Sequence, residues 1–219
     1  MKTRRLSRRL AKFASCAALA FGLAGAVTTS GTAAAAVAGP GRAGAAATFR
    51  AWAWGAGNSG ELGNGSTASS LVPEQVPILP GITQVAAGSG FSLALASDGT
   101  VWAWGFNSEG QLGDNSTTTS YEPVQVAGLT GVTQIAAGTA FGLARRSDGM
   151  VWAWGADYDG QLGNAATYAA QTRPVETVGM DSGITQLAAG VNHVLALRSD
   201  GTVLAWGDDG AAARLIRAR

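Results

Sequence analysis

The sequence predicts an all-β fold, a partial β-propeller of about three blades with four antiparallel strands in each. Three observations support this prediction. Trp-Ala-Trp-Gly recurs every fifty residues, at 52–55, 102–105 and 152–155, and repeats of this length are typical of propellers and solenoids. Within each unit, large apolar residues occupy every second position, which is strand periodicity. Asp-Gly pairs separate consecutive apolar runs, as they do in β-hairpins.

The tryptophans mark the same strand in every unit, and a weaker fourth copy occupies 203–207. Their shared register favours packing between blades, and a stacking platform for a carbohydrate or another ligand is the alternative. All tryptophans of the chain belong to these copies: Trp52, Trp54, Trp102, Trp104, Trp152, Trp154 and Trp206.

A second motif, Gly-Gln/Glu-Leu-Gly, follows each pair of tryptophans and leads into a polar Ser/Thr/Asn loop. Its glycines suit close approach of neighbouring sheets. These glycines are Gly60, Gly63, Gly110, Gly113, Gly160 and Gly163. A proline then opens the next element. We expect four strands per unit, at Gly-Ile-Thr-Gln-Val, Phe-Ser-Leu-Ala-Leu, Val-Trp-Ala-Trp and Pro-Val-Gln-Val and their equivalents.

The recurring acids Asp98, Asp148 and Asp200 each stand in a Ser-Asp-Gly sequence between two apolar runs. Aspartate is favoured in such turns because its carboxylate bonds the local backbone. We therefore interpret these residues as turn residues, with calcium binding or catalysis as the alternative.

The combination of these motifs resembles the regulator of chromosome condensation repeat over about residues 50–210. The resemblance implies propeller blades, and members of that family form closed rings, usually of about seven blades. Since only about three units and the start of a fourth occur here, we expect a fragment of a longer closed propeller. The resemblance also implies an alternative function, guanine-nucleotide exchange, which is that of the founding member.

Residues 1–38 predict a secretory signal peptide: a basic start, an apolar stretch and a small-residue site ending at Ala38. A transmembrane anchor is the alternative, but the apolar stretch is short for a span. We expect a secreted protein without a stable membrane anchor, exported by the general or the twin-arginine route. The single cysteine, Cys16, would leave with this segment. Residues 39–48 then form a flexible linker before the repeats at 49–210.

The charge of the chain is misleading when it is counted over all residues. The formal net charge is +1, but beyond residue 38 nine basic residues face fourteen acidic ones, a net charge of −5, and none of the basic residues is lysine. Nucleic-acid binding requires a basic surface. The composition therefore argues against a nucleic-acid partner.

Residues with catalytic potential are few. His193 is the only histidine, and it occupies the register position of Phe91 and Phe141, so we interpret it as a packing residue rather than a general base or metal ligand. The acid pairs at 157/159 and 208/209 are an alternative, weak cation site. With no catalytic triad, phosphate-binding loop or dinucleotide motif in the sequence, we expect neither an enzyme nor a cofactor or metal.

The tail at 211–219 leaves the pattern of the repeats. Position 212 should begin Gly-Gln-Leu-Gly but reads Ala-Ala-Arg, which plausible codons for that motif would encode in another frame. We expect a frameshift or sequencing error, with a naturally short tail as the alternative. If no frame of the DNA beyond codon 211 continues the repeats, the frameshift hypothesis is wrong.

The function that fits these features is a secreted, non-catalytic protein-interaction module with an unidentified protein partner. The variable loops at 64–72, 114–122 and 164–173 suit recognition. Alternatives are the exchange activity, a polysaccharide lyase on a propeller, and a truncated product without function. Open blade edges also predict self-association.

Overall fold

The computed structural model describes residues 50–77, 79–165, 169–180 and 183–208, together with two short strands at 34–35 and 216–217. Within this part of the chain every regular element is a β-strand, which confirms the all-β prediction. The signal peptide, the linker and the aberrant tail fall almost entirely outside the described residues, so all three stay predictions.

The strands form four antiparallel sheets in which neighbours in sequence are neighbours in space. The strands are β1 (Ala34–Ala35), β2 (Trp52–Gly55), β3 (Ser70–Gln75), β4 (Ile82–Ala87), β5 (Phe91–Ala96), β6 (Val101–Gly105), β7 (Ser120–Gln125), β8 (Val132–Ala137), β9 (Phe141–Arg146), β10 (Val151–Gly155), β11 (Gln171–Glu176), β12 (Ile184–Ala189), β13 (His193–Arg198), β14 (Val203–Gly207) and β15 (Ile216–Arg217). The second sheet, β4-β5-β6-β7, and the third, β8-β9-β10-β11, are the predicted four-stranded blades. The first sheet is β1-β2-β3 and the fourth is β12-β13-β14-β15.

The last strands of the first three sheets, β3, β7 and β11, which we call the outer strands, begin earlier than predicted. The prolines expected to open them, Pro73, Pro123 and Pro174, lie three residues inside β3, β7 and β11. A proline lacks the N–H that a central strand must donate, but an edge strand has one side without a partner. Because these three strands lie at the outer edges of their sheets, the strands tolerate proline and begin before it.

Consecutive sheets pack face to face and enclose three hydrophobic clusters. We call the side of each sheet that meets the preceding sheet its leading face and the other its trailing face. Between the second and third sheets, Leu93 and Val101 of one trailing face meet Ile135 and Trp154 of the next leading face. Equivalent clusters join the first to the second sheet and the third to the fourth. The core is therefore a series of layers, each built by two neighbouring repeats.

The last tryptophan of the repeated strand ties the second, third and fourth sheets to the preceding repeat. The indole N–H of Trp154 donates to the carbonyl of Gln111 at 2.9 Å, and Trp104 and Trp206 make the equivalent bonds at 2.7 and 3.0 Å. The last glycine of the motif makes room for this ring: a Cβ on Gly113 would lie 2.8 Å from Cδ1 of Trp154. The recurring tryptophan and the recurring last glycine of Gly-Gln/Glu-Leu-Gly therefore form one contact between neighbouring repeats.

We call β4, β8 and β12, which are the first strands of the second, third and fourth sheets, the inner strands. A glutamine joins each inner strand to the next. The side chain of Gln84 donates to the carbonyl of Ile135 and accepts from its N–H, both at 2.9 Å. Gln134 makes the same pair of bonds to Leu187, both at 3.0 Å. The equivalent Gln186 of the fourth sheet is exposed. We call the two bonded residues, Gln84 and Gln134, the glutamine rungs.

Replacing Gln134 by alanine is expected to lower the free energy of unfolding by about 1–3 kcal/mol, because the backbone groups of the buried Leu187 lose both partners. Gln186→Ala is the matched control, since this exposed side chain makes no comparable pair of bonds, and it should change stability by less than about 0.5 kcal/mol. Urea denaturation followed by far-UV circular dichroism measures both. Equal losses for the two variants would contradict the role of the rungs.

Candidate functional site

One end of the stack, which we call the loop face, gathers the long polar loops. Gly105 at the end of β6 pairs both with Phe91 at the start of β5 and with Ser120 at the start of β7. The loop at 106–119 therefore emerges beside the turn at 88–90. The same register brings the loops after β2 and β10, and the turns before β9 and β13, to this end. The variable segments of the repeats thus form one surface.

The loop face carries charge of a single sign. Its described loops and turns contain no lysine or arginine. Its acidic residues are Glu61, Glu109, Asp114, Asp157, Asp159 and Asp208. At the other end of the stack, by contrast, basic residues accompany acids: Arg146 forms an ion pair with Asp148 at 3.1 Å. A surface of uniform sign favours encounter with partners of the opposite sign.

Exposed aromatic side chains stand among these acids. Phe106 is 41% and Tyr158 is 61% exposed, and aromatic residues that remain exposed are enriched at protein interfaces. The Tyr158 hydroxyl donates a short hydrogen bond to the Glu109 carboxylate of the preceding repeat. This bond raises the pKa of the Tyr158 phenol. It also fixes the aromatic ring of one repeat over the loop of another.

A cavity of about 400 Å³ opens between the loops of the first, second and third sheets. Its walls include Glu61, Phe106, Glu109 and Thr139. Glu61 is only 5% exposed, and its Oε2 accepts a hydrogen bond from the Ser59 N–H at 2.8 Å. A largely buried acidic residue therefore lines the cavity.

Glu61 occupies a position that is glutamine in the other two repeats. Gln111 accepts the equivalent bond from Glu109 N–H at 2.9 Å, and Gln161 accepts it from Asp159 N–H at 2.8 Å. All three side chains stabilise the same turn through one oxygen. The charge of Glu61 is thus additional to what the turn requires.

A buried polar side chain organises the long loop of each of the second and third repeats. In the second repeat, Asn107 accepts from Leu112 N–H at 2.9 Å and donates to the carbonyls of Ser116 and Thr118 at 3.2 and 3.0 Å. In the third, Asp157 takes its place and accepts from Leu162 N–H at 2.9 Å. Burial raises the pKa of the Asp157 carboxyl, partly offset by the bond from Leu162.

Replacing Asp157 by asparagine is expected to raise the free energy of unfolding at neutral pH by about 1 kcal/mol. Because the folded-state pKa of Asp157 is raised, the folded protein binds this proton more tightly than the unfolded chain. The contribution of Asp157 to stability should therefore be fully present below the ordinary aspartate pKa and be lost as pH rises through the folded-state value. Asn107→Asp is the reverse control and should be destabilising. Urea midpoints between about pH 4 and pH 8 measure both variants, and an unchanged pH dependence in Asp157→Asn would contradict this explanation.

A second cavity, of about 800 Å³, follows the inner strands β4, β8 and β12. Uncharged residues line it, with one charged exception, Arg145. The Arg145 guanidinium donates to the carbonyl of Ile184 through Nη1 at 3.3 Å. This groove offers backbone edges rather than a set of reactive groups.

The tryptophans predicted to pack between blades lie on the leading faces of their sheets. Trp104, Trp154 and Trp206 are buried, at 1%, 0% and 5% exposure. The first members of the pairs are less covered, with Trp102 and Trp152 half-buried and Trp52 exposed by 38%. The guanidinium of Arg146 lies 5.9 Å from the centre of the Trp152 ring, a distance suited to a cation–π contact.

The three repeated aspartates lie in hairpin turns at the end opposite the loop face. In each turn the carboxylate accepts from the backbone N–H two residues ahead, at 2.9 Å for Asp98, 3.0 Å for Asp148 and 2.9 Å for Asp200. Hydrogen bonds from Thr100 lower the pKa of Asp98, and those from Thr202 lower that of Asp200. The carboxylates thus bond their own turns, as expected of Asp in this position.

His193 lies where the register placed it, at the start of β13, but its surroundings differ from those of its equivalents. Phe91 and Phe141 are 1% and 0% exposed, whereas His193 is exposed. The difference arises because His193 stands on the trailing face of the fourth sheet, where no described sheet covers it. Among the described residues, no group of three or more potential ligands could hold a metal ion. None of the described segments forms a helix of membrane-spanning length and apolarity.

Glu61 is a candidate functional residue that the repeat pattern does not single out, because it occupies the second position of Gly-Gln/Glu-Leu-Gly. The available signal was the single substitution of an acid for an amide at a position that is glutamine in two other copies. Its burial and the cavity beside it depend on the three-dimensional arrangement of loops from several repeats.

Two protein-family profiles match the repeats of this chain. A profile described as "Regulator of chromosome condensation (RCC1) repeat" matches residues 50–95, 98–145 and 148–197. A second profile of the same description matches 82–111, 132–161 and 184–211. No curated protein matches the chain.

Solved structures share the arrangement of the sheets. Human WBSCR16 is 23% identical, with a TM-score of 0.66 over 78% of this chain and 48% of its own. Prp20p from Saccharomyces cerevisiae is 29% identical, with a TM-score of 0.65 over 75% of this chain and 41% of its own. The same yeast protein bound to Kap60 matches at 26% identity, with a TM-score of 0.65, over 81% and 40%. The chain therefore spans less than half the length of each of these proteins.

Proposed function

Because the chain belongs to the regulator of chromosome condensation (RCC1) repeat family, we propose that it is a non-catalytic module that binds a protein partner through its loop face. This choice of face is supported by the exposed Phe106 and Tyr158, which stand on a surface whose described loops and turns carry acidic but no basic residues. Aromatic anchors within a charged surface suit recognition of a basic protein.

The solved relatives support the proposal that the partner is a protein. The yeast protein Prp20 was crystallised with Kap60, and its binding to Gsp1p and histones was characterised. Those partners belong to Prp20, and a shared fold does not transfer a partner. With the secretory signal predicted at 1–38, the partner proposed here is extracellular. Guanine-nucleotide exchange, the alternative from family analogy, has no supporting residue among those described.

The proposal is tested by capture from culture supernatant on the immobilised full chain. The loop-face variant Phe106→Ser with Tyr158→Ser should lose a partner that the unmodified chain retains. The matched control is Asp98→Ser, which alters an exposed turn at the opposite end and should retain it. A partner that the loop-face variant retains equally would contradict the choice of face.

Self-association is a second candidate, and one observation favours it. On the trailing face of the fourth sheet, Leu195 is 42% and Val203 is 37% exposed, whereas the equivalent Leu93, Leu143, Val101 and Val151 are all 0% exposed. An apolar sheet face of this kind favours association.

The full chain is expected to show a molar mass that rises with concentration in size-exclusion chromatography with light scattering. Leu195→Ser should weaken this association at little cost to the fold, because the side chain is already exposed. Leu143→Ser, at the covered equivalent position, should instead destabilise the fold by about 3 kcal/mol or more. A compact monomer at every concentration would rule out self-association.

A further inference from the structure

The cavity beside Glu61 has a composition that points to a particular ligand. We propose that it receives one lysine or arginine side chain of the protein partner, with the Glu61 carboxylate as its counter-ion. This inference rests on the proposed function, since it assigns the partner a cationic anchor residue within the loop face.

Glu61 is a largely buried acid whose carboxylate is only partly paired. Oε2 of Glu61 accepts from Ser59 N–H, while Oε1 accepts no hydrogen bond from any described residue. The ion pair between Arg146 and Asp148 is the one salt bridge in the described part of the chain, so Glu61 has no counter-ion there. Only 5% of the Glu61 residue is exposed, but Oε1 does not belong to the buried side-chain atoms that lack a partner. This oxygen is therefore accessible to a cation, with which a carboxylate forms a strong, charge-assisted hydrogen bond.

The fold does not need the charge of Glu61. Gln111 and Gln161 make the same backbone contact in their own repeats without the desolvation cost of an ionised group. A glutamate in the first repeat alone is therefore best explained by an interaction outside the turn. Gln111 of the second copy of the motif also lines the cavity, so Glu61 is the motif residue that brings a charge to its wall.

The residues that line the cavity suit a cationic side chain. Ser59, Ser89, Ser108 and Thr139 line it together with Phe106. Hydroxyl and carboxylate oxygens are acceptors for the donors of an ammonium or guanidinium group, and an aromatic ring attracts a cation. The volume of about 400 Å³ lies near the lower end of the range for ligand pockets, about 300–1,000 Å³, and suits a single long side chain.

A bare metal ion fits this cavity less well. Glu61 and Glu109 are its only acidic wall residues, and the described residues contain no group of three metal-ligating side chains. Calcium takes six to eight oxygen ligands, with several from carboxylates. A cation at the end of an aliphatic stem can instead contact the Phe106 ring and the carboxylate together.

The test is an NMR titration of the full, isotopically labelled chain with a capped Gly-Lys-Gly peptide, and with the Gly-Arg-Gly and Gly-Gln-Gly peptides as comparisons. The basic peptides should shift the amide signals of Gly90, Phe106 and Thr139 in a saturable manner, and the glutamine peptide should not. Glu61→Gln should weaken binding at least tenfold. This variant should fold normally, because the second and third repeats carry glutamine at the same place.

Thr139→Lys is a second variant that leaves Glu61 intact and supplies an internal cation at the cavity wall, and it should also abolish binding. The proposal is overturned if Glu61→Gln binds the lysine peptide as tightly as the unmodified chain, or if the neutral peptide causes the same shifts. Capture of the natural partner separates the two proposals. If Glu61→Gln retains the partner and the Phe106/Tyr158 variant loses it, only the cavity proposal is wrong. If the Phe106/Tyr158 variant retains the partner, the loop-face proposal is wrong.

Discussion

Replacing Trp154 by alanine is expected to lower the free energy of unfolding by about 3–5 kcal/mol, a large part of the 5–15 kcal/mol that stabilises a typical domain. The ring is fully buried and belongs to the cluster between the second and third sheets. Its loss opens a void and leaves the carbonyl of Gln111 without its indole donor. Because each repeat contacts only its neighbours, this damage should separate the stack at one layer.

Two further variants separate the contributions of the Trp154 side chain. Trp154→Phe keeps most of the apolar volume and loses the N–H, so we expect a smaller cost of about 1–2 kcal/mol. Trp152→Ala removes a half-buried ring of the same strand and should also cost about 1–2 kcal/mol. Urea denaturation followed by far-UV circular dichroism gives the three values. A loss below about 1 kcal/mol for Trp154→Ala would favour the ligand-platform interpretation of the tryptophans.

Replacing Gly113 by alanine is expected to cost about 2–4 kcal/mol, because two penalties add. The backbone has a φ of +65°, which costs a residue with a Cβ about 1 kcal/mol or more. The new methyl would also lie 2.8 Å from Cδ1 of Trp154 and 3.0 Å from a methyl carbon of Val126, and overpacking a filled core costs about 1–3 kcal/mol.

Gly128→Ala isolates the first of these penalties. Its φ is +72°, nearly the same as that of Gly113, but nothing lies within 4 Å of the added Cβ. We expect a loss of only about 1 kcal/mol. The difference between the two variants, measured from thermal or urea unfolding, reports the contacts of the added methyl with Trp154 and Val126. Equal losses would mean that the glycine of the motif serves the turn and not the neighbouring ring.

The periodicity of the sequence was sufficient to predict the strands and their order. The spacing of Trp-Ala-Trp-Gly, the Ser-Asp-Gly turns and the apolar alternation each depend on residues close in sequence, and β4 to β14 lie where these patterns place them. The starts of the outer strands were less predictable, because Pro73 and Pro123 are compatible with either a strand start or an edge position.

The candidate site depends on contacts between repeats, which local patterns do not encode. Tyr158 and Glu109 are forty-nine residues apart and meet only when two loops emerge from neighbouring sheets. The exposure of His193 likewise depends on whether another sheet covers β13, and not on its register. Glu61 is visible in the sequence as a departure from glutamine, but its burial is visible only in the structure.

The glutamine rungs have a consequence for how such a chain can evolve. Gln84 and Gln134 recognise the N–H and carbonyl of the facing residue, which is Ile135 in one case and Leu187 in the other. Because each glutamine bonds only main-chain atoms, the contact does not depend on the side chain of the facing residue. A duplicated or transplanted repeat would therefore offer the same N–H and carbonyl to the glutamine of its neighbour. Copy number can therefore change by unequal recombination without compensating substitutions at this junction, while the loops of each copy diverge independently.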